Sequence, residues 1–122
     1  MRRRPTTKLQ LTHRALQDIQ AIFDYSAEHW GKQAAEKYLD AIESGLDRIK
    51  TQPRLLRPEP DFHGTLTFYR IEKHLLVCDA RPASIVILTV VHASMDIPAR
   101  LAELEPTLAA EVQLLHRKLR AP

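Results

Sequence analysis

The sequence predicts an α+β fold: an N-terminal strand, an antiparallel helical hairpin packed on a mainly antiparallel four-stranded sheet, and a C-terminal helical tail. Three observations lead there. Residues 13–49 carry apolar side chains at helical spacing in two blocks parted by Gly31. Beyond a loop with three prolines, the apolar pattern becomes that of strands. The three strand-like runs that follow are joined by turns short enough to admit only antiparallel neighbours.

In chain order, KLQLT at 8–12 alternates Leu9 and Leu11 with polar neighbours, as a half-buried strand does, and Thr12 can cap a following helix. From His13 to Trp30 the apolar positions Leu16, Ile19, Ile22, Phe23, Ala27 and Trp30 form one helical stripe. Gly31 ends it. A second stripe, Ala35, Tyr38, Leu39, Ile42, Leu46 and Ile49, runs to Pro53, which lacks the N–H a helix needs. So short a joint folds the two helices back on each other. PRLLRPEPDFHG at 53–64 reads as a loop. TLTFYRI, HLLVCDA and SIVILTVV then follow, with Glu72-Lys73 and Arg81-Pro82-Ala83 between them. The order is β-α-α-β-β-β, with the first strand joining the sheet parallel to one neighbour.

Strand 85–91 is apolar at nearly every position, so both of its faces require cover. The hairpin covers one. The other falls to the chain's own tail, a second copy or a different protein. Pro98 and Pro106 interrupt the tail, but Leu108, Val112, Leu115 and Leu119 recur on one helical face. That face suits either the chain's own sheet or a partner.

At 122 residues, 44% hydrophobic and 27% charged, the chain has the profile of one globular domain. No stretch approaches the ~20 apolar residues that span a bilayer. MRRRPTTK is basic without a following apolar segment, unlike a secretory signal. A single cysteine, Cys78, excludes an internal disulfide, and a cytoplasmic protein is expected. The net charge of +3 gathers at the ends, with Arg2, Arg3 and Arg4 at one and His116, Arg117, Lys118 and Arg120 at the other. Such ends suit an acidic partner or solvent alone.

Chemistry concentrates at TVVHASMD, 89–96, where the apolar strand stops at His92 and Asp96. A histidine at a strand end is placed for proton transfer, whereas Ser94 and Asp96 also suit a turn and a helix cap. No glycine-flanked nucleophile elbow is present, the six histidines fall singly, and the three glycines make no phosphate loop. Neither a metal nor a cofactor is expected. Arg70, mid-strand in TFYRIEK, suits an ion pair or an acidic ligand.

The hairpin with Trp30-Gly31, the proline loop, YRI at 69–71, HLLV at 74–77 and ILTVVHASMD at 87–96 together resemble the RelE/ParE superfamily of toxin–antitoxin toxins. The resemblance spans residues 8–101, leaving a basic extension at 1–7 and a helical tail at 102–122. RelE-like members cleave mRNA on the ribosome with arginines at places held here by Leu75 and by Ala93 or Ser94, and often with an aromatic where Ile97-Pro98 stands. Removal of two cationic contacts from a phosphoryl-transfer centre costs several kcal/mol of transition-state stabilisation. The resemblance therefore implies a ParE-like toxin, not a catalyst, that blocks DNA gyrase and replication by protein binding. It implies a ParD-like antitoxin covering the apolar sheet face and nearby grooves, a homodimer or a toxin–antitoxin hetero-oligomer, and no sequence-specific nucleic-acid contact. Arg70, His92, Met95, Asp96, Arg100, Arg117 and Lys118 are the expected target- or antitoxin-binding residues. The alternative it leaves is a RelE-like endonuclease built on His92, Arg70 and His74.

Overall fold

In the computed structural model, which describes residues 7–58 and 66–120 and gives the backbone alone at 106, 108, 109 and 120, strand β1 (Lys8–Leu11) passes into helix α1 (His13–Trp30) at Thr12. The fully buried Thr12 does two things there. Its Oγ1 accepts the Ala15 N–H at 3.0 Å, capping the helix, and donates to the Leu88 carbonyl at 2.6 Å, tying the cap to the sheet. Gly31 then serves both helices. Its N–H donates to the Ala27 carbonyl and its own carbonyl accepts from Ala35 in helix α2 (Lys32–Thr51). The φ of 92° lies where a side chain is strained, so glycine makes the one-residue joint possible.

A 3-10 turn at Pro53–Leu55 follows, then β2 (Leu66–Ile71), β3 (His74–Arg81) and β4 (Ser84–His92). The sheet order is β1-β4-β3-β2. β1 runs parallel to β4 in the register Leu9↔Ile85, and the other pairs are antiparallel, with Ile71 opposite His74 and His74 opposite His92. The register breaks where Thr89 faces Val77 and Ile87 faces Cys78, leaving Leu88 over as a bulge. Helix α1 serves the bulge from outside the sheet. Asp18 accepts the Val90 N–H at 3.1 Å and the Thr89 hydroxyl, while Thr12 takes the Leu88 carbonyl.

Strand alternation divides the core in two. Ile71, Leu76, Ile85, Ile87 and Val90 pack with Ile42 and Ile49 under the hairpin. Phe68, Val77, Val86, Leu88 and Val91 face the other way, and helix α3 (Ile97–Arg120) lies over them through Leu104, Val112 and Leu115, with Leu101 and Leu119 at its margins. The tail thus covers the second face of β4, the first of the three covers that the sequence leaves open. Two polar contacts reinforce it. Glu111 Oε1 accepts the His13 N–H at 2.7 Å, supplying the negative charge that the first turn of α1 lacks. His116, 2% exposed, places Nδ1 2.8 Å from Ser84 Oγ and Nε2 3.2 Å from Asp79 Oδ1, the latter at ion-pair distance without hydrogen-bond alignment. His116 therefore does not belong with the solvated basic end formed by Arg117 and Lys118.

Nor do Pro98 and Pro106 interrupt the tail: α3 is one helix. Pro98 stands second, where the missing N–H would have no helical partner anyway. An interior proline costs about 3 kcal/mol, and burying three side chains such as Leu104, Val112 and Leu115 at ~2 kcal/mol each outweighs it. Residues 1–6, the later part of the proline loop, and the side chains of Leu108 and Arg120 lie outside what is described. Among the described residues no helix is long and apolar enough to cross a membrane.

Candidate functional site

The hairpin and the sheet diverge at one end, where the tip of the hairpin stands off the β2–β3 turn and the end of β4. Between them lies a cleft of about 810 Å³ walled by Tyr25 and Ser26 of α1, Trp30, Tyr38 of α2, the turn residues Glu72 and Lys73, and His74 and His92. The pairing of Ile71 with His74 makes Glu72-Lys73 a two-residue turn, and Glu72 adopts φ 51°, a left-handed conformation that non-glycine residues seldom take.

Tyr38 organises the floor. Its hydroxyl oxygen lies 2.6 Å from His74 Nδ1 and 3.3 Å from the Ile71 carbonyl, and accepts the Lys73 N–H at 3.3 Å. Burial raises its pKa above the usual phenol value. His74 moves the other way, down to about 4, chiefly through burial and further through His92 and Lys73 beside it. It is therefore neutral at neutral pH, with one ring N–H and one lone pair. His92 meets it edge-on, the ring centroids 5.2 Å apart at 75°. The Ser94 N–H donates to His92 Nδ1 at 3.1 Å, which places the proton of the neutral ring on Nε2.

The mouth is aromatic. Tyr25 stacks on His29 with centroids 3.9 Å apart, Trp30 meets Tyr25 at 65°, and Lys73 Nζ stands 5.9 Å from the Trp30 ring centre. Tyr25 is 55% and Trp30 62% exposed, so neither ring belongs to the core. In the sequence Trp30 falls on the helical stripe of α1 and Tyr25 off it, and nothing local distinguishes either position. Only their place at a hairpin tip, where the stripe outruns the sheet, marks them.

Of the residues singled out from sequence, the structure brings His74 and His92 together and keeps Arg70 apart. Tyr69 and Ile71 face the hairpin, so Arg70 between them faces the α3 side, where its Nε donates to the Glu72 carbonyl at 2.8 Å. The set His92, Arg70 and His74 does not converge. Asp96 is a helix cap: Oδ1 accepts the Ala99 N–H at 3.3 Å, and the partner of His92 is Ser94 instead. Met95 is 44% exposed, Arg100 pairs with Glu103 at 3.1 Å within α3, and Arg117 and Lys118 are exposed on the same helix, away from the cleft lining. Leu75 packs against the apolar cluster beneath α3. Cys78 is buried, and burial raises its thiol pKa, so it is unreactive. Among the described residues no three His, Cys, Asp or Glu side chains are grouped to hold a metal.

The comparisons agree with this architecture. The family described as "ParE toxin of type II toxin-antitoxin system, parDE" matches residues 9–97. Toxin ParE of Escherichia coli is 26% identical over 94 residues, which cover 76% of this chain and 91% of that protein. A chain of the chromosomal ParDE TA system from P. aeruginosa shares the fold at a TM-score of 0.63 and 18% identity, over 73% of this chain and 98% of that one. A chain of the toxin–antitoxin complex RelBE2 from Mycobacterium tuberculosis does so at a TM-score of 0.56 and 16% identity, over 76% and 98%. With the family match running from the first strand to the first residue of α3, this chain belongs to the ParE toxin family of type II toxin–antitoxin systems.

Proposed function

We propose that this protein is a toxin that acts by binding DNA gyrase, blocking replication without itself cleaving nucleic acid, and that a ParD-like antitoxin neutralises it in the cytoplasm. The family match over residues 9–97 carries the reading. The geometry supports the non-catalytic half of it. Cleavage of a phosphodiester needs cationic donors around the transferring phosphorus. Here Lys73 lines the cleft with the histidine pair, but Arg70 points to the opposite face of the sheet and Leu75 packs into an apolar cluster, so the two arginine-type contacts of a ribonuclease are not supplied. With β4 covered by α3, the antitoxin has to bind elsewhere, or replace α3.

The test is supercoiling. The purified chain is added to gyrase, plasmid and ATP, and linear DNA is counted after the enzyme is denatured. The expected result is loss of supercoiling with accumulation of linear plasmid, unchanged by His92→Ala. Gyrase that works normally with the chain in large excess would overturn the reading.

The His74–His92 pair favours one second reading, a ribosome-dependent mRNA endonuclease in which the two rings share proton transfer. Under that reading mRNA is cut in a translating extract, and His92→Ala abolishes the cut.

A further inference from the structure

We propose that the cleft at the hairpin tip is a nucleotide-binding site: a nucleobase stacks on Trp30 with the Tyr25 ring at its edge, its exocyclic amino group donates to Glu72, and its phosphate meets Lys73. The inference is independent of the gyrase reading. Neither the family assignment nor proton transfer by the histidine pair requires it.

The size fits first. About 810 Å³ lies inside the ~300–1,000 Å³ range of small-ligand pockets and accommodates a base with its sugar and phosphate. The rings come next. Two large aromatic side chains more than half exposed at one mouth are costly to solvate, and each is held in place by its neighbours, Tyr25 by His29 and Trp30 by Tyr25 and Lys73. A stacking surface ordered in advance loses little entropy on binding, and base–aromatic stacking contributes roughly 1–3 kcal/mol per base. Lys73 Nζ stands 5.9 Å from the Trp30 ring centre, and its flexible stem lets it swing to the phosphate of a base stacked on that ring.

The polar groups decide against a simple apolar ligand. An aliphatic anchor seated in the cleft would displace water from Glu72, Lys73 and the Nε2 atoms of both imidazoles, whose Nδ1 atoms are already engaged by Tyr38 and Ser94, and would offer nothing in its place. A nucleotide matches them. Glu72, a carboxylate kept in a left-handed turn where glycine would be unstrained, is an acceptor for the amino group of adenine or cytosine and repels the carbonyl that uracil presents at the same position. Neutral His74 and the Nε2–H of His92 offer one-proton partners suited to a base edge. The chemistry is shared by free nucleotides and by single-stranded nucleic acid.

Trp30 is the only tryptophan of the chain, so its fluorescence reads the cleft directly. The whole protein is titrated with AMP, UMP, adenosine, ribose 5-phosphate and a short oligo(dA), while the amide and indole signals of Trp30, Lys73, His74 and His92 are followed by NMR. Saturable change with AMP is expected, several-fold weaker with UMP and absent with ribose 5-phosphate. Lys73→Gln should weaken AMP but not adenosine, and Glu72→Gln should level AMP and UMP. Oligo(dA) tighter than AMP at physiological salt assigns the site to a strand, and equal affinity assigns it to free nucleotide. Ribose 5-phosphate matching AMP, or no saturable change in fluorescence or cleft resonances with any base-bearing ligand, overturns the proposal.

Discussion

Replacing His116 with alanine tests whether α3 belongs to the folded core. The imidazole is 2% exposed, Ser84 1% and Asp79 9%, so the change leaves two polar groups facing a void inside the protein. The Ser84 hydroxyl loses its partner at 2.8 Å, and a buried orphan of that kind costs about 1–3 kcal/mol. Asp79 retains Arg81 at 3.5 Å, a side chain 42% exposed and so only a partial replacement. Loss of the packed ring adds about 1 kcal/mol more. The total is about 3 kcal/mol. At about 2.1 cal/mol/K of unfolding entropy per residue, a chain of 122 residues melts lower by roughly 12 °C. Differential scanning calorimetry measures the shift, and hydrogen exchange along α3 shows whether the helix opens first. Ser84→Ala combined with His116→Leu removes both ends of the contact and should cost at least ~1 kcal/mol less than the two single changes summed. A fall of less than about 3 °C for His116→Ala, with exchange in α3 unchanged, would refute the account of α3 as a packed and hydrogen-bonded cover.

The other expectations concern the hairpin and the cleft. Gly45→Ala gains up to ~1 kcal/mol of helix propensity, but its methyl would collide with Ile71 Cδ1 and come within 2.9 Å of Cγ1, in a core where overpacking costs about 1–3 kcal/mol. Net loss in urea titration is expected, partly restored by Ile71→Val, and a more stable Gly45→Ala protein would contradict the close approach of α2 to β2. Thr12→Val keeps the shape and removes both Oγ1 contacts; about 2 kcal/mol should be lost by the same titration, and less than ~0.5 kcal/mol would mean the cap is idle. His74, down to about 4 in the folded chain against about 6.5 unfolded, takes up its proton more readily when unfolded. The stability it contributes is complete above pH 6.5 and is lost as pH falls toward 4, about 1–2 kcal/mol once solvent screening is allowed for. His74→Gln should flatten that slope between pH 7 and 4.5, and an NMR titration of the wild-type ring with a midpoint near 6.5 would disprove it.

Much of the fold is legible in the sequence because its signals are local. The two helical stripes, the Gly31 joint and the period change at β2 all fall where the structure places them, since each depends on neighbours within a few residues. The sequence also suggests that β1 joins the sheet parallel to one neighbour, and the structure makes that neighbour β4. Less legible is anything that depends on two distant segments meeting. Asp18 looks like one more polar residue on the outer face of α1, yet it holds the bulge of β4, 71 positions away. His116 looks like part of a basic run, and only its docking opposite Ser84 gives it a buried role. Arg70, His74 and His92 lie close in the sheet register, and alternation alone sends Arg70 to the other face. That alternation was readable in advance at Tyr69-Arg70-Ile71.

The same division explains how one scaffold keeps its fold while its function is free to change. Side chains in mid-strand are enclosed on one face or the other, Leu76 and Ile87 under the hairpin and Val77 and Val86 under α3, where a change of volume is felt by the covering layer. Strand ends project beyond that enclosure. At one of them the hairpin tip diverges from the sheet, and His74, His92, Glu72 and Lys73 share a cleft with Trp30. Replacing Lys73 or Glu72 disturbs no core contact, so chemistry at this end can vary at little cost to stability. Arginines introduced at the places of Leu75 and Ala93 would fare differently from each other. Leu75 packs under α3, so an arginine there would have to displace the helix before it could reach a phosphate, whereas the Ala93 N–H only closes the turn against the Lys73 carbonyl at 2.8 Å. In this chain α3 and a ribonuclease-type arginine at 75 compete for one face of the sheet, and α3 occupies it.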